Sequence, residues 1–581
     1  MGLALLLTAA CRRAPEPEPP PAGTPRLVVL VVSDQFRFDY LERVRPLLRG
    51  GLKRLLEESV SFTEAHHAHA ITNTAPGHAT LATGAWPAHH GIVSNDWYDR
   101  EEEEVVYCVD DDDVDTSPRR LLVPTLADWM KRRYPGAKVF AVSGKDRGAV
   151  LLAGRAADGT FWYDDETGEI TTSDYYGRPP AWAEELNRQG LPRELFVGSV
   201  WEPLPVEAAA AAAAGFRPFD RGPFDEGWPR ILGNGMVPNE SFFGSIYRTP
   251  FLDEHVGRFA QALVVAEELG SDEWPDFLGV SFSALDTVGH RYGPESLEVL
   301  DTILRLDRTL GELLAVLDQR VGRGNYLLAF SSDHGVVPLP EMAAAGGGEE
   351  AGEDAGGDGS AAVGGGSVAG AGAASIAPGA GAGVHGTGAN RRIGRAEIRC
   401  LRRAGAELAA RFGAEVFLDD GYLDREVLAD RGHERAEVLA AVDELLTPCD
   451  GVVAVWTATE LAVVDPAAPA VPGSPAWKAT LFRRSSHPQR SPDFFIEWDP
   501  ELLPVLGDYT THGTPGRDDT HVPLLIAGRC PQAAEVDDFV ATADLAPTLA
   551  SLLDVPTPAV DGTSRASLVV ARCAAPAAPG G

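Results

Sequence analysis

The clearest pattern along the chain is a series of short apolar runs separated by stretches in which apolar residues recur at helical spacing. The run Arg26–Ser33 is almost uninterrupted Val and Leu, as expected of a parallel strand buried on both faces. Helical spacing appears in Phe251–Leu269 and Leu297–Val321. The other apolar runs are Lys138–Ser143, Phe277–Ser283, Tyr326–Ser331 and Val522–Ala527. This alternation predicts an α/β fold with a doubly wound, mostly parallel central sheet and helices on both faces.

Changes in composition divide the chain into segments. Residues 343–390 are nearly all Gly, Ala and Ser with a few acids, and such a segment buries too little apolar surface to fold, so we expect a disordered insert there. Residues 391–490 predict a small α+β insertion. Its predicted elements are a helix at Ala396–Phe412, a strand near Glu415, a helix at Glu434–Leu446 and a strand at Gly451–Trp456. The α/β domain then comprises 26–342 and 491–570, with a disordered tail at 571–581.

The first 25 residues indicate export. A short leucine-rich segment is followed by small residues and Cys11, as at a lipoprotein cleavage site, and Pro15–Pro21 would form an extended tether. We therefore expect a periplasmic or envelope-anchored protein with an N-terminal lipid anchor. No later run of 18 apolar residues occurs in the sequence, so no transmembrane helix is expected in the mature chain.

The net charge and the cysteine content limit which ligands and partners the protein can bind. The formal net charge of −35 argues against nucleic acid as a bulk partner, because no excess of basic residues can neutralise phosphates. The six cysteines include no C-x-x-C pair, and their pairing is left open by the sequence. Any metal would therefore be bound by carboxylates and histidines.

Aspartate and histidine residues, which commonly bind metals, follow three of the apolar runs. A further histidine precedes the last apolar run. In a doubly wound sheet, ligands collect beyond the carboxyl ends of the strands, so these residues are predicted to meet at one edge. Singly, each fits a helix cap or a structural histidine, but together three carboxylates and three imidazoles suit two zinc-like ions. The candidates are Asp34, Asp286, His290, Asp333, His334 and His512.

A candidate nucleophile lies between the first two runs. In Asn73–His78, Pro76 fits the first turn of a helix, so Thr74 should cap or precede a helix whose positive end points at it. That position suits a phosphoryl group. A threonine hydroxyl is a weak nucleophile alone, but a divalent ion can stabilise its alkoxide, as it lowers the pKa of bound water to about 7.

These segments resemble the alkaline phosphatase superfamily, nearest to the type I phosphodiesterase/nucleotide pyrophosphatase group and its threonine-nucleophile alkaline phosphatases. The resemblance extends from Arg26 to about Val555. Seven segments match in order, and they are 32–35, 73–78, 90–97, 145–148, 286–290, 332–335 and 511–513.

The resemblance implies a role for each matching residue. Thr74 would become the phosphorylated intermediate and would face both metals, and Asn95 would hydrogen-bond a phosphoryl oxygen. One zinc would be bound by Asp286, His290 and His512, and the other by Asp34, Asp333 and His334.

Lys145 and Arg147 favour phosphate monoesters over diesters as small-molecule substrates. Two zinc ions, three aspartates and a threonine alkoxide balance in charge, so the two basic side chains leave an excess that matches a monoester dianion. The resemblance agrees, since it associates Lys-x-Arg with the monoesterase branch. A charged turn after a strand would explain the tripeptide equally well if it stood alone.

The sequence therefore predicts a two-zinc alkaline phosphatase that works through a phosphothreonine. A phosphodiesterase or nucleotide pyrophosphatase with the same metals is the nearest alternative, and an inactive envelope protein that binds phosphorylated ligands is a more distant one. We predict no second metal cluster at His66, His67 and His69, which lack helical spacing. Further histidines are expected to be structural or to orient ligands. They are His78, His89, His90 and His521.

Overall fold

The structure is a computed structural model of the chain. It describes residues 18–189, 200–218, 227–232, 238–338, 391–392, 395–467, 473–499, 502–503, 512–528 and 533–574. The predicted lipoprotein-like segment up to residue 17 and the whole of the predicted Gly/Ala-rich insert at 343–390 lie outside the described residues.

The strands are numbered in chain order. They are β1 (Leu27–Ser33), β2 (Ser59–His66), β3 (Asp96–Asp99), β4 (Glu104–Tyr107), β5 (Asp110–Asp111), β6 (Asp115–Thr116), β7 (Val139–Ser143), β8 (Gly159–Tyr163), β9 (Ile170–Thr171), β10 (Val200–Trp201), β11 (Arg230–Ile231), β12 (Asp276–Phe282), β13 (Tyr326–Ser331), β14 (Arg391–Arg392), β15 (Val452–Thr457), β16 (Phe494–Trp498), β17 (Leu502–Leu503), β18 (Leu524–Ala527) and β19 (Ala534–Ala541).

The α-helices are numbered in the same way. They are α1 (Phe38–Val44), α2 (Gly51–Glu58), α3 (Thr74–Thr83), α4 (Pro87–His90), α5 (Leu126–Arg133), α6 (Asp146–Ala153), α7 (Ala181–Gln189), α8 (Ala208–Ala213), α9 (Glu240–Tyr247), α10 (Phe251–Ala266), α11 (Ala284–Tyr292), α12 (Leu297–Leu317), α13 (Arg395–Phe412), α14 (Arg425–Asp430), α15 (Arg435–Leu446), α16 (Ala458–Leu461), α17 (Pro475–Ser485), α18 (Arg517–Thr520), α19 (Leu545–Leu552) and α20 (Ala566–Ala574).

A nine-stranded sheet forms the centre of the described chain, in the order β19-β2-β18-β13-β1-β12-β7-β8-β9. β1 lies parallel to both β12 and β13, with Leu27 opposite Asp276 and Tyr326. The pairs β12–β7, β7–β8 and β2–β19 are also parallel. β18 runs antiparallel to both β13 and β2. The predicted mostly parallel sheet is confirmed, although the run Val522–Ala527 forms an antiparallel strand.

Helices cover both faces of this sheet, as predicted. Val29 and Val31 of β1 belong to an apolar core shared with α10 and α12. Val28 and Leu30 belong to a second core shared with α3, α5 and α19. Alternate side chains of a strand point to opposite faces, so β1 is buried on both sides and is almost wholly apolar.

The insertion has an apolar core of its own, which includes Leu408, Val438 and Trp498. Its two main helices and the strand β15 agree with the predicted elements. The strand predicted near Glu415 is wrong, because the chain leaves α13 at Gly413 with a φ of 99° and forms a single 3₁₀ turn. β15 pairs with β16, so the insertion extends beyond the boundary predicted at residue 490.

A disulfide joins Cys400 in α13 to Cys449, which follows α15. It fixes the two long helices of the insertion to each other. Cys108 is a buried free cysteine in the α/β domain. The sequence had left these pairings open.

The carboxyl-terminal helix α20 overlaps the tail predicted to be disordered at 571–581. That prediction is wrong for residues 571–574, because α20 packs Val569 into the second core and continues to Ala574. No helix among the described residues is both long and apolar enough to cross a membrane.

Candidate active site

The ends of three parallel strands bring three carboxylates to one edge of the sheet. Asp34 directly follows β1, and Asp333 lies just beyond β13. Asp286 lies in the first turn of α11, which begins shortly after β12. Because these strands are parallel neighbours, their carboxyl ends meet, and all three aspartates are buried there.

His512 reaches the same edge because β18 is antiparallel. The chain enters β18 at the edge where β13 ends, and His512 lies just ahead of that entry. Its ring stacks on that of His334, with centroids 3.7 Å apart. A parallel strand in the place of β18 would have put the residues before it at the opposite edge of the sheet.

Asp286, His290 and His512 form a first group of potential metal ligands. Asp286 and His290 lie one helical turn apart on α11, so they share one face. Nε2 of His290 is 3.1 Å and Nε2 of His512 is 3.6 Å from Oδ1 of Asp286. One ligand atom from each residue lies within 4.8 Å of the others, a spacing that suits one ion bound by a carboxylate and two imidazoles.

Asp34, Asp333 and His334 form a second group. Nε2 of His334 is 3.4 Å from Oδ1 of Asp34 and 3.8 Å from Oδ2 of Asp333. Ligand atoms of Asp34, Asp286 and His334 also lie within 4.8 Å of one another, so the two groups adjoin.

Backbone contacts orient two of the imidazoles. Nδ1 of His334 lies 2.8 Å from the carbonyl oxygen of Gly335, and Nδ1 of His512 lies 3.0 Å from that of Thr72. A carbonyl can only accept, so each Nδ1 carries the proton and each Nε2 presents a lone pair to the carboxylates. Burial and the neighbouring His334 and His290 lower the pKa of His512 well below its usual value, which favours the neutral form that binds metals.

The buried polar atoms of the second group fit a divalent cation. Oδ1 of Asp34 and Nε2 of His334 are buried without a hydrogen-bond partner, which is costly for protein atoms. Burial, followed by the charges of Asp286 and Asp333, raises the pKa of Asp34 to about 8. Positive charge is therefore needed among these carboxylates, and the residues present fit the ions that the sequence resemblance implies.

Lys145 supplies one positive charge to the cluster. Its Nζ lies 2.6 Å from Oδ2 of Asp34 and 2.7 Å from Oδ2 of Asp286, so it joins the two ligand groups. Burial alone would lower the pKa of Lys145, but Asp286 and Asp34 raise it well above its usual value. The side chain is therefore a permanent cation at the centre of the site.

Arg147 and Asn95 lie around the same site. Nη1 of Arg147 donates to the hydroxyl of Tyr107 at 2.8 Å, and that hydroxyl donates to Asp146 at 2.6 Å. Oδ1 of Asn95 accepts from the backbone N–H of Ala75 at 2.9 Å, which leaves its amide nitrogen as a donor beside Thr74. Tyr107 is a contact of Arg147 that no pattern in the sequence indicated.

Thr74 is the first residue of α3, and Asn73 is the N-cap residue. The sequence predicted Thr74 as the cap or the residue before the helix, so the register differs by one position. The positive end of the dipole of α3 therefore lies at Thr74. A Cβ on Gly77 would meet the backbone oxygen of Asp333 at 2.1 Å, so α3 packs directly on the loop that carries the second ligand group.

His78 contacts both Thr74 and a potential metal ligand, and Gln35 contacts another potential ligand. Nδ1 of His78 lies 2.9 Å from the carbonyl oxygen of Thr74 and 3.1 Å from Oδ2 of Asp333. Gln35 has a φ of 64°, and its Nε2 donates to Oδ1 of Asp286 at 2.7 Å. The orienting role predicted for His78 agrees with these contacts. Gln35 was missed, and only its position after Asp34 could have indicated it.

A third group, Glu64, His66 and His521, also has ligand atoms within 4.8 Å of one another. Arg517 donates to both carboxylate oxygens of Glu64, at 3.0 and 2.9 Å, and lies 3.4 Å from Nε2 of His66. Nε2 of His521 donates to the carbonyl oxygen of Thr63 at 2.8 Å. The guanidinium already supplies positive charge, so we assign no metal to this group.

The fold and the ligand cluster together define a hydrolase of the alkaline phosphatase superfamily. The resemblance predicted from the seven segments is confirmed. The chain belongs to the type I phosphodiesterase/nucleotide pyrophosphatase family, whose sequence model matches residues 28–403.

Two alkaline phosphatases are similar to this chain, one over nearly all of it and the other over about half of it. It is 31% identical over 568 residues to alkaline phosphatase PafA of Elizabethkingia meningoseptica, with 92% of each protein covered. It is 38% identical over 339 residues to alkaline phosphatase PhoV of Synechococcus elongatus, which covers 55% of this chain and 61% of that protein. The crystal structure of wild-type PafA matches with a TM-score of 0.75 at 29% identity, covering 94% of this chain and 99% of that one.

Proposed function

We propose that this protein is an alkaline phosphatase that hydrolyses phosphate monoesters through a covalent phosphothreonine on Thr74, with two zinc ions bound per chain. The proposal is supported by the relatives named alkaline phosphatases that match nearly the full chain. The observation that carries it is the position of Lys145, whose Nζ lies within 2.7 Å of carboxylates from both ligand groups. A cation there suits a substrate with two negative charges.

The proposed zinc ligands are divided between the two groups described above. Bound zinc would act as a Lewis acid that stabilises negative charge on oxygen. One ion is assigned to Asp286, His290 and His512, and the other to Asp34, Asp333 and His334.

In the proposed reaction the chain supplies the nucleophile and the oxyanion contacts. Oγ of Thr74 attacks phosphorus, a bond from that oxygen to phosphorus forms, and the bond to the leaving oxygen breaks. The positive end of α3 and the amide nitrogen of Asn95 stabilise the phosphoryl oxygens, and Lys145 and Arg147 provide charge for the dianion. Water then attacks phosphorus, which releases phosphate and restores the hydroxyl of Thr74.

Substitution of Thr74 tests the nucleophile. Thr74→Ala should abolish steady turnover of 4-nitrophenyl phosphate while two zinc ions per chain remain by elemental analysis. Thr74→Ser is the matched control, because it keeps the hydroxyl and should retain measurable activity. Near-normal turnover by Thr74→Ala with zinc bound would contradict the assignment.

A phosphodiesterase is the second candidate, because the matching family is described as type I phosphodiesterases and nucleotide pyrophosphatases. Rates on 4-nitrophenyl phosphate and on its methyl diester decide between them. We expect kcat/KM to be higher for the monoester by at least about tenfold, because only the monoester carries the second charge that Lys145 and Arg147 match. A preference for the diester would overturn the proposed substrate class.

We also propose that the protein is exported and anchored by a lipid on Cys11, in the periplasm or envelope. The disulfide Cys400–Cys449 supports an oxidising compartment. Labelling cells with a radioactive fatty acid should mark the wild-type chain, and Cys11→Ala should abolish the label and release the protein from the membrane fraction. Unlabelled wild-type protein in the cytosolic fraction would contradict the proposal.

A further inference from the structure

A pocket of about 460 Å³ lies between the β3–β4 hairpin of the α/β domain and the insertion. The α/β domain contributes residues from the start of α3 and from the hairpin, and the insertion contributes residues around Tyr422 and β16. The two parts of the chain form a cleft here that neither forms alone.

The pocket adjoins the proposed nucleophile. Asn73 and Ser94 both line it, and Nδ2 of Asn73 donates to Oγ of Ser94 at 3.2 Å. Asn73 is the residue before Thr74, and Ser94 precedes Asn95, which binds the backbone of Ala75. The organic group of an ester bound at Thr74 therefore has this pocket as a neighbouring space.

The inner walls of the pocket are apolar and aromatic. Tyr422 and Phe494 are buried and contribute ring surface, and Tyr98 lies with its ring centroid 5.8 Å from that of Tyr422. Half-buried aliphatic side chains complete the wall, among them Leu418 and Ile496. Such walls favour an aromatic or aliphatic group, because its transfer from water removes apolar surface from both partners.

The rim of the pocket is acidic. Among the described residues that line it, four are aspartate or glutamate and none is lysine, arginine or histidine. These four are exposed, and they are Asp96, Glu104, Asp419 and Asp420. Glu104 belongs to the acidic stretch at 101–115, which the proposed reaction does not use.

Two arginines near the wall are engaged behind it. Arg100 and Arg425 donate to the two carboxylate oxygens of buried Asp493, at 2.8 and 3.1 Å. Arg147 lies towards the phosphoryl site, where it donates to Tyr107. Arg100 and Arg425 therefore point to another partner, whereas Arg147 also acts on the lining acid Asp96. The remaining lining acids leave the pocket with an excess of negative charge.

We propose that this pocket binds the organic group of the substrate and selects phosphate monoesters whose organic group is apolar or aromatic and neutral or positively charged. The inference rests on the proposed function and adds the substrate class. Esters with further negative charge, such as nucleoside polyphosphates, are disfavoured by the acidic rim.

Three phenyl phosphates with different para substituents test the charge preference. The substituents are 2-aminoethyl, ethyl and 2-carboxyethyl, which leave the phenol oxygen of similar acidity and give the group a positive, neutral or negative charge. We expect kcat/KM to fall in that order, with about tenfold or more between the first and the last, and the ratio to shrink in high salt.

The double variant Asp96→Asn/Asp420→Asn should reduce the ratio between the first and the last ester to within about threefold. Asp112→Asn is the matched control, because it removes an exposed acid of the same stretch that does not line the pocket, and it should leave the ratio unchanged. Equal loss of the ratio in this control would overturn the assignment to the pocket.

A second pair of substrates tests the apolar wall. 3-Phenylpropyl phosphate and propyl phosphate have alcohols of similar acidity, and the former should be preferred by roughly tenfold because it buries a ring. Equal rates for this pair, or rates independent of charge in the first series, would overturn the inference and leave the phosphatase proposal intact. If none of these monoesters is hydrolysed, both the proposed function and this inference are overturned.

Discussion

Lys145 occupies a position that two aspartates define. Because its ammonium group lies against Asp34 and Asp286, it lowers the repulsion between carboxylates that burial has placed together. Removing it has two consequences, since the cluster loses a charge and the dianionic substrate loses a partner. The residue therefore affects both the assembly of the site and its choice of substrate.

Lys145→Ala should lower kcat/KM for a phosphate monoester by about 10²–10³, the usual cost of losing one group that stabilises developing charge. The effect on a methyl diester should be smaller, because the diester carries one negative charge less. Lys53→Ala, at an exposed position, is the control and should change neither value. The measurement is kcat/KM for both esters. An equal loss on both would contradict the claim that Lys145 favours monoesters over diesters.

The buried imidazole of His90 should make the free energy of unfolding depend on pH. Nδ1 accepts from the N–H of Ile92 at 3.1 Å, and Nε2 lies 3.1 Å from the hydroxyl of Thr80. Protonation of Nδ1 breaks the first bond. Burial, followed by the charge of His89, lowers the pKa of His90 to about 3, whereas an unfolded histidine has a pKa of about 6.5.

The folded state therefore binds fewer protons than the unfolded state between these two pKa values, so stability is full above the unfolded pKa and falls as the pH drops. Through His90, the free energy of unfolding should fall by about 2 kcal/mol as the pH drops from about 7 to about 5. We predict that the midpoint of thermal unfolding, measured as a function of pH, falls less steeply over this range in His90→Gln than in the wild type. Parallel curves for the two proteins would contradict the prediction.

At the scale of elements, the contact between α3 and the loop after β13 sets the distance between Thr74, the proposed nucleophile, and the second group of potential ligands. The backbone of Asp333 is the nearest neighbour of a Cβ at Gly77, and backbone atoms cannot rotate away as a flexible side chain can. The absence of a side chain at Gly77 thus allows Thr74 to lie beside the second ligand group.

Gly77→Ala should displace α3 and lower kcat by at least about tenfold, with a loss of about 1–3 kcal/mol in unfolding free energy from the overpacked contact. Gly244→Ala is a control in α9, where no heavy atom lies within 4 Å of the added carbon. It should be neutral or slightly stabilising, since Ala is the better helix former. Thermal unfolding and steady-state kinetics of both variants provide the measurement.

The pattern of apolar runs was sufficient to predict the central strands and the edge where Asp34, Asp286 and Asp333 lie, because burial on both faces demands such runs. It could not give the direction of β18, since an apolar run reads the same for parallel and antiparallel strands. It also could not indicate Gln35, whose contact with Asp286 depends on a φ of 64° rather than on residue type.

At the scale of the whole molecule, ions should join segments that are far apart in sequence. Removal of zinc with a chelator should abolish activity and lower the unfolding temperature, because ligands at both ends of the chain lose their common partner. Free zinc at about a thousandfold its Kd contributes about 4 kcal/mol to stability. Differential scanning calorimetry with and without chelator measures the shift, and re-added zinc should restore it. Unchanged unfolding after verified metal removal would contradict a structural role for the ions.

The central position of β1 determines when the protein can become active during its synthesis. β1 leaves the ribosome early, but its partners β12 and β13 come from the middle of the chain, and His512 arrives close to the end. A nascent chain therefore holds Asp34 for most of translation without the groups that would complete the centre. Under the proposed function, a chain whose segment with His512 has not yet been synthesised has an incomplete centre and is inactive.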